Sequence, residues 1–103
     1  RDLGVNPVPI IDGEWVAASY TPADKRTPVQ IEKLALSDSL IKEIMDADVI
    51  ILSVAVYNFN LPGSLKAWID LIVRSGVTFK YGPNGPEGLV KGNKKVFVVS
   101  ASG

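Results

Sequence analysis

Two short stretches carry the residue types that could do chemistry. Tyr57-Asn58-Phe59-Asn60 sets two aromatic faces around a carboxamide that both donates and accepts hydrogen bonds. Ser100-Ala101-Ser102-Gly103 offers two hydroxyls and a backbone that a ligand can approach closely. Together they suit a flat polar heterocycle. Acid–base and metal chemistry are poorly supplied, because the 103 residues include no His and no Cys. That removes the commonest general base, the commonest metal ligand, disulfides and thiolate sites. A bound organic cofactor is the simplest remaining source of reactivity. No catalytic residue in the strict sense and no metal ligand is assigned.

The elements that must position these stretches are legible. Thr27-Pro28-Val29-Gln30 reads as a helix start, with Thr at the N-cap, Pro at the first helical position and Gln completing a capping box. Leu34, Ile41, Ile44 and Met45 then form an apolar face, with Glu32, Ser39, Lys42, Glu43 and Asp46 on the wetter side, so a helix is expected over about 28–47. Val49 to Val56 is nearly all apolar and rich in Val and Ile, as in a parallel strand buried on both faces. Leu61-Pro62-Gly63-Ser64 turns the chain. Leu65, Trp68, Ile69 and Ile72 mark a second helix to about Arg74, with Gly76 placed as its C′ residue. Val96 to Val99 is a second apolar strand.

Helix, strand, helix, loop, strand is a βαβ crossover with a helix before it, and such units join parallel strands. Both chemistry-bearing stretches therefore leave the sheet at the same edge, where ligands of open α/β sheets bind. Either stretch alone is also what ordinary loop packing looks like. Their convergence on one edge is what points to a ligand.

The remaining segments read as scaffold. Val5 to Ile11, with Pro7 and Pro9, is an extended loop or edge. Asp12-Gly13-Glu14 is turn chemistry, and Trp15 to Asp24 shows no sustained period and reads as a surface loop with one aromatic anchor. Val77 to Tyr81 is short and aromatic, and Gly82 to Asn93 is a Gly/Pro-rich structured loop. Lys66 and Asp70 are spaced as an exposed ion pair. Trp68 is expected in the core. Asp38 falls on the apolar face of the first helix, at a wet rim or an interface. Lys91, Lys94 and Lys95 read as a solvated turn, with attraction for a phosphate as the alternative.

Hydrophobic residues make up 47% and charged residues 21%, and eleven basic residues balance eleven acidic ones. A neutral total argues against nucleic-acid or anionic-membrane partners, which need a surplus of Lys and Arg. The longest mainly apolar run, Val49 to Tyr57, is far short of the roughly 20 residues of a transmembrane helix. No signal peptide is visible. The chain opens at Arg1 without a Met and stops at Gly103 straight after an apolar strand. It is expected to be the central part of a larger domain.

The order and wording of the motifs carry a resemblance. Tyr57-Asn58-Phe59-Asn60, followed by Leu65-Lys66 and Asp70, resembles the flavin loop of the flavodoxin-like NAD(P)H dehydrogenases. Gly76-Val77-Thr78-Phe79-Lys80-Tyr81, then Gly85-Pro86-Glu87-Gly88-Leu89-Val90, is similar to the FMN-dependent NADH:quinone oxidoreductases known as azoreductases, as is Asn6-Pro7-Val8-Pro9 before an acidic turn. The resemblance implies a flavodoxin-like, doubly wound parallel sheet in three α/β/α layers. Residues 1–103 would be a single partial domain, lacking the first strand with its phosphate loop and the C-terminal strand and helices. It implies a cytoplasmic homodimer with FMN as cofactor, NADH or NADPH as electron donor, and quinones or azo compounds as substrates. Val56, Tyr57, Asn58 and Phe59 would line the isoalloxazine, and Ser100, Ala101, Ser102 and Gly103 its other side. Asn58, Phe59 and Tyr81 would face the substrate, Tyr81 as an aromatic lid. Where the family often carries an Arg in the last loop, this chain has Ala101. Two rival readings share the scaffold: a flavodoxin-type electron carrier, usually strongly acidic, and a flavin-free interaction domain.

Overall fold

A computed structural model describes residues 1–55 and 62–101. Three helices, α1 (Gly13–Tyr20), α2 (Pro28–Asp46) and α3 (Gly63–Ile72), accompany four strands: β1 (Val49–Ala55), β2 (Phe79–Gly82), β3 (Gly85–Gly88) and β4 (Lys95–Ala101). β1 and β4 pair in parallel from Val49↔Lys95 to Ala55↔Ala101, and β2 and β3 form an antiparallel hairpin.

α1 and α2 start where side chains satisfy their free N–H groups. At α2, Gln30 N–H donates to Thr27 Oγ1 at 3.2 Å and Thr27 N–H to Gln30 Oε1 at 3.0 Å, the anticipated capping box with Pro28 beside it. At α1, Asp12 Oδ1 accepts from Trp15 N–H at 2.9 Å. Its other oxygen pairs with Lys33 of α2 at 2.8 Å. Asp12-Gly13-Glu14 is therefore a helix start and not a free turn. The surface loop expected over Trp15 to Asp24 is instead α1, a Thr21 C-cap and a short 3₁₀ turn over Ala23–Lys25. Eight residues are too few to show a sustained period, and the cap was the available signal. The aromatic anchor is correct: Trp15 is 6% exposed.

The core lies among the helices. Val8, Trp15, Ala18, Leu34, Leu40, Ala67 and Leu71 are buried together, with Trp68 partly buried against them as anticipated for a core residue. The buried face of α2 comprises Leu34, Ser37, Leu40 and Ile41. Relative to the expected stripe it is rotated toward Ser37, leaving Ile44 half-buried and Met45 exposed. Ser37 is tolerated there because its hydroxyl donates to the Leu71 carbonyl at 2.5 Å.

The sheet is less covered than its composition suggests. β1 alternates exposed and half-buried residues, and β4 is exposed throughout. Burial on both faces therefore does not occur among the described residues, because the helices there pack chiefly on one another and not on the β1–β4 pair. Lys94 leaves the solvated turn expected of it. Its ammonium donates to the carbonyls of Met45 at 2.9 Å and Ala47 at 2.5 Å, closing the end of α2 onto the start of β4. Lys91 and Lys95 are exposed.

α3 ends at Ile72, and Val73 N–H caps it on the Ile69 carbonyl at 3.1 Å. Gly76 is thus not its C′ residue. It sits in the following turn at φ 81°, donating to the Phe79 carbonyl at 2.7 Å. The Gly/Pro-rich stretch expected as a loop contains the turn at Pro83-Asn84 and the second strand of the β2–β3 hairpin. Pro86 is accommodated because a two-stranded ribbon consists of edges alone.

Candidate functional site

The candidate site is the C-terminal edge of the β1–β4 pair. In the parallel register Val54 lies beside Ser100 and Ala55 beside Ala101, so both strands reach the edge level with one another. Ser100 and Ala101 are exposed, and Ala55 is half-buried. Their side chains are small, so the edge is low and its backbone groups are open to a planar ligand. The described part of the edge therefore offers backbone groups and the Ser100 hydroxyl to a ligand. Val56, Tyr57, Asn58, Phe59, Ser102 and Gly103 lie outside the described residues.

A cavity of about 500 Å³ opens alongside, between Arg1–Gly4 on one wall and Ile51–Ala55 on the other, with the start of α3 beneath. Five consecutive strand residues line it, although successive side chains of a strand point to opposite faces. The cavity therefore runs along the free edge of β1. It is a slot beside the strand.

Tyr81 belongs to the other sheet, the β2–β3 hairpin. It is the third residue of β2, 67% exposed, with its ring edge-on to Phe79 at 5.3 Å and 82°. Among the described residues, no hydrogen bond or ring contact joins it to Ser100 or Ala101. Lys66 and Asp70 form the anticipated pair along α3. Asp38 is half-exposed at the rim of α2, but it has a partner that the sequence reading missed. The Arg74 guanidinium, 3% exposed, pairs with it. An acid on an apolar helix face calls for a cation nearby, and that was the signal available.

The whole chain, residues 1–103, matches the family model described as flavodoxin-like fold. The chain belongs to that family, and its fold is flavodoxin-like. It is 50% identical over its full length to an FMN-dependent NADH:quinone oxidoreductase of Herminiimonas arsenicoxydans, covering 50% of that relative. It is 54% identical over 104 aligned residues to one of Bordetella petrii, again covering 50% of it. Among solved structures, azoreductase AzrA superposes on the whole chain with a TM-score of 0.87 at 28% identity, over 50% of its own length. An FMN-dependent NADH-azoreductase of Bacillus anthracis strain Ames Ancestor, solved in complex with FMN, gives 0.83 at 26% identity, also over 50% of its length. The chain thus spans about half the length of the relatives it matches.

Proposed function

We propose that this chain is part of an FMN-dependent NAD(P)H oxidoreductase that reduces quinones and azo compounds. The observation that carries the reading is identity of about half the residues, end to end, with proteins named FMN-dependent NADH:quinone oxidoreductase. When bound, FMN would supply the redox chemistry between NADH or NADPH and the second substrate. The protein's task is then to stack, orient and keep dry, which agrees with a sequence that has no His. Val56, Tyr57, Asn58 and Phe59 line one side of the flavin and Ser100, Ala101, Ser102 and Gly103 the other. Asn58, Phe59 and Tyr81 face the acceptor. The level strand ends and small side chains of the β1–β4 edge support this assignment.

Residues 1–103 act as one partial flavodoxin-like domain within a larger protein. The slot along β1 and the exposed β4 support that reading. The radius of gyration does too: 15.0 Å, against about 13 Å for a compact domain of 100 residues. The working protein is a cytoplasmic homodimer. No described helix is long and apolar enough to cross a membrane. A neutral chain also suits an enzyme better than the acidic electron carriers of the same fold.

The test uses the full-length purified protein. A flavin band near 450 nm, about one FMN per chain by release and quantitation, and NADH oxidation that depends on an added quinone are expected. A colourless protein that takes up no FMN would overturn the reading. Flavin without quinone-dependent NADH oxidation would favour the carrier.

A further inference from the structure

Arg74 is the only buried charged side chain among the described residues, 3% exposed. It lies just beyond α3, and the chemistry proposed above does not use it. Its Nη1 donates to Ser37 Oγ at 3.3 Å and pairs with the Asp38 carboxylate. Ser37 in turn holds the Leu71 carbonyl. The Arg74 Nε has no acceptor among the described residues. Keeping a guanidinium out of water with one donor unmet is costly, and an apolar side chain would fill the place with less penalty. The arrangement calls for a reason other than stability.

The backbone of the same residue supplies one. The Arg74 N–H donates to Thr78 Oγ1 at 2.9 Å. Its carbonyl collects the N–H groups of Val77 at 3.2 Å, Thr78 at 3.0 Å and Phe79 at 3.4 Å. The Thr78 hydroxyl donates onward to the Ile72 carbonyl at 2.8 Å. The turn between α3 and β2 is thus tied at one residue, whose side chain is anchored in α2. β2 and β3 pack chiefly on each other and form an arm beyond that turn. The returning strand comes back to the same root, where Leu89 N–H meets the Thr78 carbonyl at 2.9 Å. Tyr81 stands on this arm, roughly 10 Å from Thr78 at the rise of a strand. A tilt of about 6° at the root carries the ring about 1 Å, enough to matter in a reacting complex.

We propose that Arg74, held by Asp38 and Ser37, is a positioning residue that sets where the β2–β3 arm presents Tyr81 to the electron acceptor. The inference rests on the proposed quinone and azo reductase activity and on Tyr81 facing the acceptor. In the full-length flavoprotein, Asp38→Asn, Arg74→Met, Arg74→Lys, Tyr81→Ala and the Asp38→Asn/Tyr81→Ala double variant are compared. Three quantities are measured: FMN per chain, anaerobic reduction of the flavin by NADH, and steady-state constants for a 1,4-naphthoquinone.

Asp38→Asn and Arg74→Met should each lower kcat/KM for the quinone on the order of tenfold, with Arg74→Lys recovering part of the loss. FMN content and the NADH half-reaction should stay within about twofold of the parent. Asp38→Asn should add less than about twofold when Tyr81 is already Ala, because both changes then act through one ring. Independent, multiplying effects of Asp38→Asn and Tyr81→Ala overturn the proposal. So do unchanged quinone constants in an Asp38→Asn protein whose parent is active, or an equal loss in the NADH half-reaction. A parent without flavin or quinone-dependent activity instead overturns the functional reading beneath it. If Arg74→Met does not fold, Asp38→Asn decides alone, since it changes a half-exposed side chain and leaves Arg74 in place.

Discussion

In the helical layer, Ala18 and Leu40 are 0% exposed and Leu34 1%, whereas in the sheet Ile51, Val98 and Val99 are 64%, 61% and 60% exposed. The strands, VIILSVA and KVFVVSA, are the more apolar in sequence, yet they are the more exposed, and the two regions differ in where their partners come from. α1 and α2 carry their own starts, at Asp12 and Thr27, and find apolar neighbours within 103 residues. A strand has no local means of satisfying its edges or faces. β1 and β4 find each other in full register, and among the described residues no other strand joins them. Among the described residues the helical side is nearly self-sufficient, whereas the sheet leaves its apolar side chains open.

The largest expected effect breaks that comparison at its weak side. Residues 1–103 produced alone should associate through the exposed sheet or stay poorly folded, and should not retain FMN. A two-stranded pair is marginal without covering layers, while the entropy of ordering the chain still has to be met. Near-UV circular dichroism, mass by light scattering and an FMN titration test this. A compact monomer that binds FMN at about micromolar levels would mean that the sheet is sufficient as it stands.

Two truncations sharpen the contrast. In the full-length protein Leu40→Ala should cost about 2–5 kcal/mol, the usual loss for an apolar core position. Ile51→Ala should approach the same range there, because further protein is expected to cover it. Denaturant melts give both numbers. If Ile51→Ala costs only the few tenths typical of a surface site, the face around Ile51 is wet in the whole protein too. The comparison would then be a real property of the fold.

At the proposed site, Asn58→Ala should weaken FMN or acceptor binding by about 1–3 kcal/mol and leave the melt nearly unchanged, since the role proposed for its carboxamide is to hydrogen-bond the ligand. FMN titration and quinone kinetics check it. Unchanged affinity together with unchanged kinetics removes Asn58 from the site.

How far the sequence could be read follows the same division. The α2 start was legible because Thr27, Pro28 and Gln30 act locally. The strand pair and its direction were legible because two apolar runs enclose one helix. α1 was not, because eight residues leave little periodicity and the Asp12 cap looks like a turn. The β2–β3 hairpin was obscured by Gly82, Gly85, Pro86 and Gly88, whose propensities oppose the strands they form. At the candidate edge, Ser100 and Ala101 stand level with the end of β1 as topology requires. The Arg74–Asp38–Ser37 cluster was invisible because it joins residues 36 and 37 positions apart in sequence.

The smallest effect concerns the charges that join α1 to α2. The Asp12 carboxyl lies below its ordinary range, first because of the hydrogen bond from Lys33 and then because of that from the Trp15 N–H. A carboxyl whose pKa is lower folded than unfolded stabilises the protein above the unfolded value and loses that contribution as pH falls through the folded one. Its share should therefore be whole above about pH 4 and fade below it. Asp12→Asn isolates the charge, because Asn is an equally good N-cap but cannot titrate or pair with Lys33. Thermal melts of the full-length protein should show the parent slightly more stable than Asp12→Asn near neutrality. The two should converge as the medium is acidified past the folded value. The pair is exposed, so added salt should shrink the neutral-pH difference as well. A gap that persists unchanged in acid would mean that the Asp12 cap geometry, and not its charge, is what fastens α1 to the helical layer.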